Sequence, residues 1–309
     1  MISFNNRIAI VTGAANGLGR SHALALAARG ARVVINDLGA NGEPSDAAMA
    51  VVEEIRHSGQ LAMASGADVS DVDQVRAMVA EVMAAWGRID ILINNAGILR
   101  DKSFAKMTMD DFDLVVKVHL GGAANCTKAV WQTMRDQNYG RILLTSSGSG
   151  LFGNFGQANY GAAKAAMVGL MNVLHIEGAK NNIRINVLVP TAATAMTEGL
   201  LSPDISLLAT PESVSPAVLF LTSESAPSKV MLSAGAGAYA VVHLLESDGI
   251  YLPPEERTPE QLSARFEQMA SLVDMQTFPS AFAQTKKYTD LAKAASQERH
   301  FQSPRQDIL

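Results

Sequence analysis

Tyr160 and Lys164 stand four residues apart in SGLFGNFGQANYGAAKAAM, residues 149 to 167. On a helix that spacing puts both side chains on one face. A free tyrosine phenol gives up its proton only at about pH 10, and an adjacent ammonium favours the phenolate and lowers that value. Ser147, 13 residues before Tyr160, offers a hydroxyl that can hold a substrate oxygen while Tyr160 gives or takes the proton. An amphipathic helix with a solvated lysine would show the same pair, so the surrounding chain has to decide.

Glycines follow the first strand-like run. Thr12-Gly13-Ala14-Ala15-Asn16-Gly17-Leu18-Gly19 precedes the helical pattern RSHALALAARG. Such a turn lets the backbone approach a pyrophosphate, and the helix N-terminus adds free N–H groups and a positive dipole end. The spacing is G-x-x-x-G-x-G rather than G-x-G-x-x-G, so the glycines alone also fit an ordinary tight turn. The second run ends in Asn36-Asp37, with Asp37 lying 20 residues beyond Gly17. An acidic side chain there accepts hydrogen bonds from ribose hydroxyls and repels a 2′-phosphate. Neither Asn16 nor Leu38 is basic, which favours NAD over NADP; a solvated loop aspartate is the plain alternative. Asp68-Val69 after the third run and Asn95-Ala96-Gly97 after the fourth fall on the same sheet edge, where open α/β sheets bind ligands.

These groups need a scaffold, and the chain supplies one. RIAIV (7–11), ARVVI (31–35), LAMAS (61–65), IDILI (89–93), RILLT (141–145) and IRINVLV (183–189) are near-continuously apolar, as strands covered on both faces are. Between them SDAAMAVVEEIRHSG and VDQVRAMVAEVMAAWG have helical periodicity and end at glycine. The alternation predicts a Rossmann-like doubly wound parallel sheet of about seven strands with helices on both faces. It occupies residues 1–250 as a dinucleotide-binding domain carrying the catalytic site. Residues 251–309 read as a helical extension too short for its own core, with Thr258 as N-cap, Pro259 at N1, one helix and a polar tail.

Composition narrows the class. The 309 residues are 48% hydrophobic and 18% charged, which excludes disorder. A net charge of −5 argues against a nucleic-acid surface. The single cysteine, Cys126, and six scattered histidines give neither a disulfide framework nor a metal site. The chain shows no signal peptide, no membrane-spanning run and no organelle address, so the cytoplasm is the expected compartment.

Taken together, TGxxxGxG, NNAG, Ser147 and Tyr-x-x-x-Lys resemble the short-chain dehydrogenase/reductase family over residues 7 to about 250. The resemblance implies that Ser147 positions a carbonyl, Tyr160 is the general acid/base, and Lys164 lowers its pKa and holds the nicotinamide ribose. It adds Pro190 and Thr194 to the cofactor contacts, although Pro190-Thr191-Ala192 stands where Pro-Gly is usual. It also implies a homodimer or homotetramer paired through long helices at about 108–136 and 158–180. Val118-His119-Leu120-Gly121 occupies a place where the family usually carries asparagine. Two readings of His119 stay open: a proton relay and a packed core residue.

Within the family, NDLG, NNAGILRDKSFAKM, VHLGG, YGRILLTSS and GNFGQANYGAAK are similar to the (3R)-hydroxyacyl-CoA dehydrogenase part of peroxisomal multifunctional enzyme type 2, to about residue 275. The expectation is a free-standing NAD-dependent oxidoreductase for the 3-hydroxyl of a (3R)-hydroxyacyl-CoA thioester. A 17β-hydroxysteroid or another bulky alcohol is the second substrate class. An idle nucleotide-binding protein is the alternative from another class, but its mark would be loss of Tyr160 or Lys164. Arg100, Lys102 and Lys106 fit either coenzyme A phosphates or a basic surface, more readily the latter. Substrate choice falls to residues 191–212 and to the C-terminal tail, whose contribution the sequence leaves unread.

Overall fold

The computed structural model describes residues 1–194 and 202–302. The six apolar runs form β1 (Ile8–Thr12), β2 (Arg32–Asn36), β3 (Ala62–Ser65), β4 (Ile91–Asn94), β5 (Gly140–Thr145) and β6 (Ile183–Thr191). With β7 (Met231–Gly235) and β8 (Ala238–Val242) they make, among the described residues, one eight-stranded sheet in the order β3-β2-β1-β4-β5-β6-β7-β8. All neighbours are parallel except β7 and β8. That antiparallel strand is the one added to the expected seven. It follows a two-residue turn, Ala236-Gly237, with φ of 49° and 76°, the pair of positive values that a tight hairpin of this kind requires.

Helices α1 (Gly17–Ala27), α2 (Asp46–His57), α3 (Val72–Trp86), α4 (Met109–Val116), α5 (Gly122–Asp136), α6 (Gly148–Phe152), α7 (Ala158–Gly178), α8 (Pro203–Leu208) and α9 (Ser215–Leu221) connect or follow the strands. Side chains alternate across a strand, and the two cores follow from that. Ala9, Val11, Val33, Ile35, Ile91 and Ile93 face α1, α2 and α9. Ile8, Ile10, Val34, Leu92, Ile142 and Leu144 face α3, α5 and α7. Burying each large aliphatic side chain contributes roughly 1.5–3 kcal/mol. The β1 strand has β2 on one side and β4 on the other, so the strand order reverses there and opens a crevice at the carboxyl ends.

The amino ends of the strands carry a polar anchor. Arg141 is fully buried on β5. Its guanidinium donates to the carbonyls of Gly140 (2.7 Å), Asn182 (2.9 Å), Ser223 (2.9 Å) and Glu224 (2.9 Å). It also stacks 4.2 Å from the Tyr139 ring centroid, with Arg7 at 3.8 Å from the same centroid. Asp90, equally buried, accepts from Arg7, Arg88 and the Ile8 amide.

Two compact units divide between Val242 and His243, a little before the boundary expected at residue 250. In the second unit Thr258 caps the Gln261 amide and Pro259 opens α10 (Pro259–Ala264). Beyond α11 (Phe266–Met269), the stretch expected to be a polar tail is instead helical as α12 (Ala281–Gln302). It lacks a clean apolar stripe, which is why periodicity misses it, yet it carries a Lys286–Asp290 pair at i and i+4 and Lys287 bonded to Glu246 at 2.9 Å. Residues 195–201, within the segment expected to select substrate, lie outside the described residues, as do 303–309. No helix among the described residues is long and apolar enough to cross a membrane.

Replacing Arg141 by Met should strip donors from buried carbonyls and cost about 3 kcal/mol or more. The urea unfolding midpoint reads this. Arg76→Ala, which breaks only an exposed pair with Asp73, should leave the midpoint in place.

Candidate active site

The turn between β1 and α1 is held against the segment after β4. Asn95 donates from its amide side chain to the carbonyls of Thr12 (3.0 Å) and Gly13 (3.1 Å). The Thr12 hydroxyl accepts from the amides of Asn95 and Ala96, both at 3.0 Å. Gly13 has φ +62° and a methyl there would lie 2.9 Å from the Ala96 Cα; one on Gly19 would lie 2.1 Å from the Gly13 carbonyl oxygen. Glycine at both places therefore lets the loop pack against itself and against the segment after β4. Asn16 caps α1 in an extended conformation and places no side chain on its first amides, so those N–H groups remain for an anion. Leu18 packs against the core instead. Thr194 stands over the loop, its Cγ2 3.2 Å from the position a Gly17 methyl would take. These features fit a dinucleotide.

Asp37 sits at the end of β2 beside the loop: its carboxylate accepts from the Ala15 amide at 3.1 Å and from the Ser45 hydroxyl at 3.3 Å. Asp68 turns its own chain by accepting from the Ser70 amide at 2.8 Å. Val69 is buried, and its carbonyl accepts from Asn125 at 3.0 Å. Pro190 and Thr191 end β6 next to β7. The structure thus gathers Gly13, Gly17, Gly19, Asn95, Ala96 and Thr194 closely, with Asp37 bonded to the loop at Ala15. Arg100 and Lys102 instead both reach Asp111, at 4.0 and 3.0 Å, so neither is an isolated positive charge.

Ser147 follows β5 and caps α6 by accepting from the Ser149 amide at 3.2 Å. Its side chain also lies close enough to the Tyr160 phenol to favour the ionised form. Tyr160 and Lys164 lie in the first turns of α7, as their spacing predicts. Lys164 is buried; its Nζ donates to the Thr145 carbonyl at 2.7 Å and lies 5.6 Å from the Tyr160 ring centroid. Burial pushes the Lys164 amine down to about 7. Burial also holds the Tyr160 phenol above its ordinary value, against a lowering by nearby Ser147 and with a further rise from Asp101. The expected lowering of the phenol by Lys164 is therefore not what this pocket does by itself, because desolvation outweighs the neighbours.

His119 lies in a wider five-residue helical turn, Lys117–Gly121, between α4 and α5. Such π turns recur at functional sites. The ring packs on Gly97, where a methyl would come within 2.1 Å of the His119 Cε1. Its Nε2 is 2.9 Å from the Ile98 carbonyl and 3.1 Å from the Ile98 amide. It meets the Tyr160 ring edge-on, with centroids 5.2 Å apart and planes at 84°. Burial, with the Lys164 charge nearby, pushes it down to about 3, so the ring is neutral. The structure thus shows His119 packed on Gly97 and in edge contact with Tyr160.

Several positioning residues escape the sequence motifs. Asn159 is fully buried, accepts the Tyr160 amide at 2.7 Å and donates to the Arg100 carbonyl at 3.1 Å. Ser146 donates to the Lys164 carbonyl at 2.7 Å, tying α7 to β5. Both are next-door neighbours of motif residues, and adjacency was the only signal available.

Comparison with known proteins bears out the fold and the family resemblance. The family model described as short chain dehydrogenase matches residues 7–204. Peroxisomal multifunctional enzyme A of Dictyostelium discoideum is 43% identical over 289 residues, which cover 92% of this chain and 64% of that protein. The solved structure of full-length peroxisomal multifunctional enzyme type 2 from Drosophila melanogaster superposes with a TM-score of 0.79 at 37% identity, covering 94% of this chain and 50% of that one. A 7α-hydroxysteroid dehydrogenase solved with NADH and 7-oxo glycochenodeoxycholic acid gives a TM-score of 0.70 at 30% identity, over 76% of this chain and 95% of that one. The chain thus spans about two thirds or less of the multifunctional enzymes it matches.

Burial pushes His22, bonded to Ser215 at 2.9 Å, down to about 3 as well. Both histidines stay neutral in the folded protein, while the unfolded chain takes up protons below about pH 6.5. Stability should be full above that pH and fall as pH drops toward 3, with a slope approaching about 1.4 kcal/mol per pH unit per histidine. Urea midpoints between pH 7 and 5 test this, and His22→Asn should flatten the dependence.

Proposed function

The chain belongs to the short-chain dehydrogenase family, and from that membership we propose an NAD-dependent oxidation of a secondary alcohol, the 3-hydroxyl of a (3R)-hydroxyacyl-CoA. The observation that carries it is the convergence of Ser147 on the Tyr160 phenol with the Lys164 amine behind the ring. A nicotinamide dinucleotide bound over Gly13–Gly19 supplies the hydride-accepting carbon. The chain's own residues handle the oxygen and its proton. The Ser147 hydroxyl donates to the substrate oxygen and fixes the carbinol beside Tyr160. Tyr160 takes the hydroxyl proton as the C–H bond gives up its electron pair, leaving a ketone. Lys164, as ammonium, favours the phenolate that accepts this proton. His119 braces the ring as a neutral neighbour.

Asp37 supports NAD: its carboxylate reaches the glycine loop at Ala15, where a 2′-phosphate would meet like charge. Large apolar side chains near the site support an acyl substrate. Phe104, Phe152 and Phe155 are exposed on two segments joined by bonds from the Lys102 amide to the Gly156 carbonyl and from Gln157 to Asp101. A bulky hydroxysteroid is the second reading, supported by the similarity to a steroid dehydrogenase. Val173 and Ile176 leave an apolar exposed face on α7, which supports self-association into a homodimer or homotetramer.

NADH formation with a (3R)-hydroxyacyl-CoA and, separately, with a 17β-hydroxysteroid tests the reading. Turnover of the thioester is expected, and Tyr160→Phe should reduce it at least about a hundred-fold. Turnover of the steroid alone would move the substrate to the second reading. Asp37→Ala should cut the preference for NAD over NADP by at least about ten-fold, the worth of charge-assisted bonds to the ribose.

A further inference from the structure

Gln157 stands at the N-cap of α7, the helix that carries Tyr160 and Lys164. Serine, threonine, aspartate and asparagine favour that place because their short side chains reach the first amides of the helix. The Gln157 side chain makes no such bond. It is buried and crosses instead to the segment after β4, where its Nε2 donates to the Asp101 carboxylate at 2.7 Å. An ionised carboxylate only accepts, so this contact fixes which way the amide points. Its Oε1 then accepts from the Ser149 hydroxyl at 2.7 Å and from the Asn154 amide at 3.1 Å. One side chain thus joins α6, the turn before α7 and the segment after β4.

Two further bonds join the same segments: the Lys102 amide donates to the Gly156 carbonyl at 2.9 Å, and Asn159 donates to the Arg100 carbonyl at 3.1 Å. Phe104 follows Asp101 closely in the chain, Phe155 shortly precedes Gln157, and Phe152 ends α6; all three rings are exposed. Asp101 also lies near enough to Tyr160 to raise its phenol, so the joined segments border the reacting group. Tyr160 and Lys164 are placed separately, through Asn159, Ser146 and Thr145. We propose that Gln157 is a positioning residue that clamps Asp101, sets the separation of the two phenylalanine-bearing segments, and so determines how tightly the apolar tail of the alcohol is held. The nature of that tail rests on the acyl-CoA reading; the clamp rests on the observed bonds alone.

Hydrogen exchange of the Lys102 amide reads the clamp without any substrate. Gln157→Leu should speed that exchange about ten-fold, the worth of a bond to a charged group. Unchanged exchange would overturn the clamp, whatever the enzyme oxidises. The role in binding is read with (3R)-hydroxybutyryl-CoA beside (3R)-hydroxydecanoyl-CoA. Gln157→Leu should raise KM for the decanoyl thioester about ten-fold with kcat within about two-fold, and leave the short thioester nearly as before. Gln157→Glu alone sets two carboxylates against each other and should act like the leucine variant. Combined with Asp101→Asn it exchanges donor for acceptor, and the pair should return exchange and KM to within about three-fold of the parent. Failure of the pair to recover overturns the positioning role. So does a lower urea midpoint with both thioesters changed alike, the mark of a merely structural glutamine. Turnover of neither thioester by the parent overturns the acyl-CoA reading and the role in holding its tail, while exchange at Lys102 still decides the clamp. Should the leucine variant not fold, Gln157→Glu is read by the same exchange and the same KM comparison.

Discussion

A lysine amine enclosed at the carboxyl end of a parallel sheet is the constraint on which this site depends. Removing a charge from water without partners is far more costly than removing a hydroxyl, so the backbone must bring acceptors to Lys164. The Thr145 carbonyl, 2.7 Å away at the end of β5, is the acceptor the structure shows. Using it forces α7 to dock against β5 at one depth and one rotation. Ser146, next in the chain, locks that docking by donating to the Lys164 carbonyl. Tyr160, one turn earlier on the same face, then has no freedom to place its ring elsewhere. The reactive pair is thus a consequence of how the helix satisfies its buried amine.

The sheet divides its polar work between its two ends. At the amino ends, Arg141 saturates carbonyls of neighbouring segments and Asp90 gathers Arg7, Arg88 and the Ile8 amide. Those groups are close to fully partnered, so they hold the strands in register and offer little to a ligand. At the carboxyl ends the pairing is incomplete by comparison. The first amides of α1 carry no side-chain cap, and the Ser147 and Tyr160 hydroxyls face each other. Anchoring one end firmly is what allows the other to keep polar groups poised for a dinucleotide and an alcohol oxygen. Parallel strands make this division possible, because every strand delivers its carboxyl end to the same edge.

Much of this was legible in the chain itself. The six strands announced themselves because helices cover both faces of the sheet and their residues are near-continuously apolar. Ser147, Tyr160 and Lys164 were legible because helical spacing fixes a face. The β8 strand was not, since its residues are mostly exposed and lack a buried run. Nor was α12, whose helix rests on propensity and ion pairs rather than on an apolar stripe. The rise of the Tyr160 phenol was hidden for a different reason. Spacing names the charged neighbour, but only the packed structure shows that burial outweighs it. Asn159 and Ser146 belong to the same class: their roles depend on where atoms meet in space, which no local pattern records.

His119 shows how one residue type can alter a site without adding charge to it. Its ring needs the bare Cα of Gly97 beneath it, since a methyl there would meet the imidazole, so glycine and histidine at these positions are linked sterically. The ring meets the Ile98 backbone with Nε2. Burial keeps it neutral through the physiological range. A neutral ring, its centroid 5.2 Å from that of Tyr160, adds no charge beside the phenol, whose rise follows burial first and Asp101 after it, against a lowering by Ser147. The π turn that carries His119 interrupts an otherwise continuous helix, which places the ring against Gly97 and under Tyr160. Contact with Gly97, the Ile98 backbone and the Tyr160 ring is what the structure shows of this histidine.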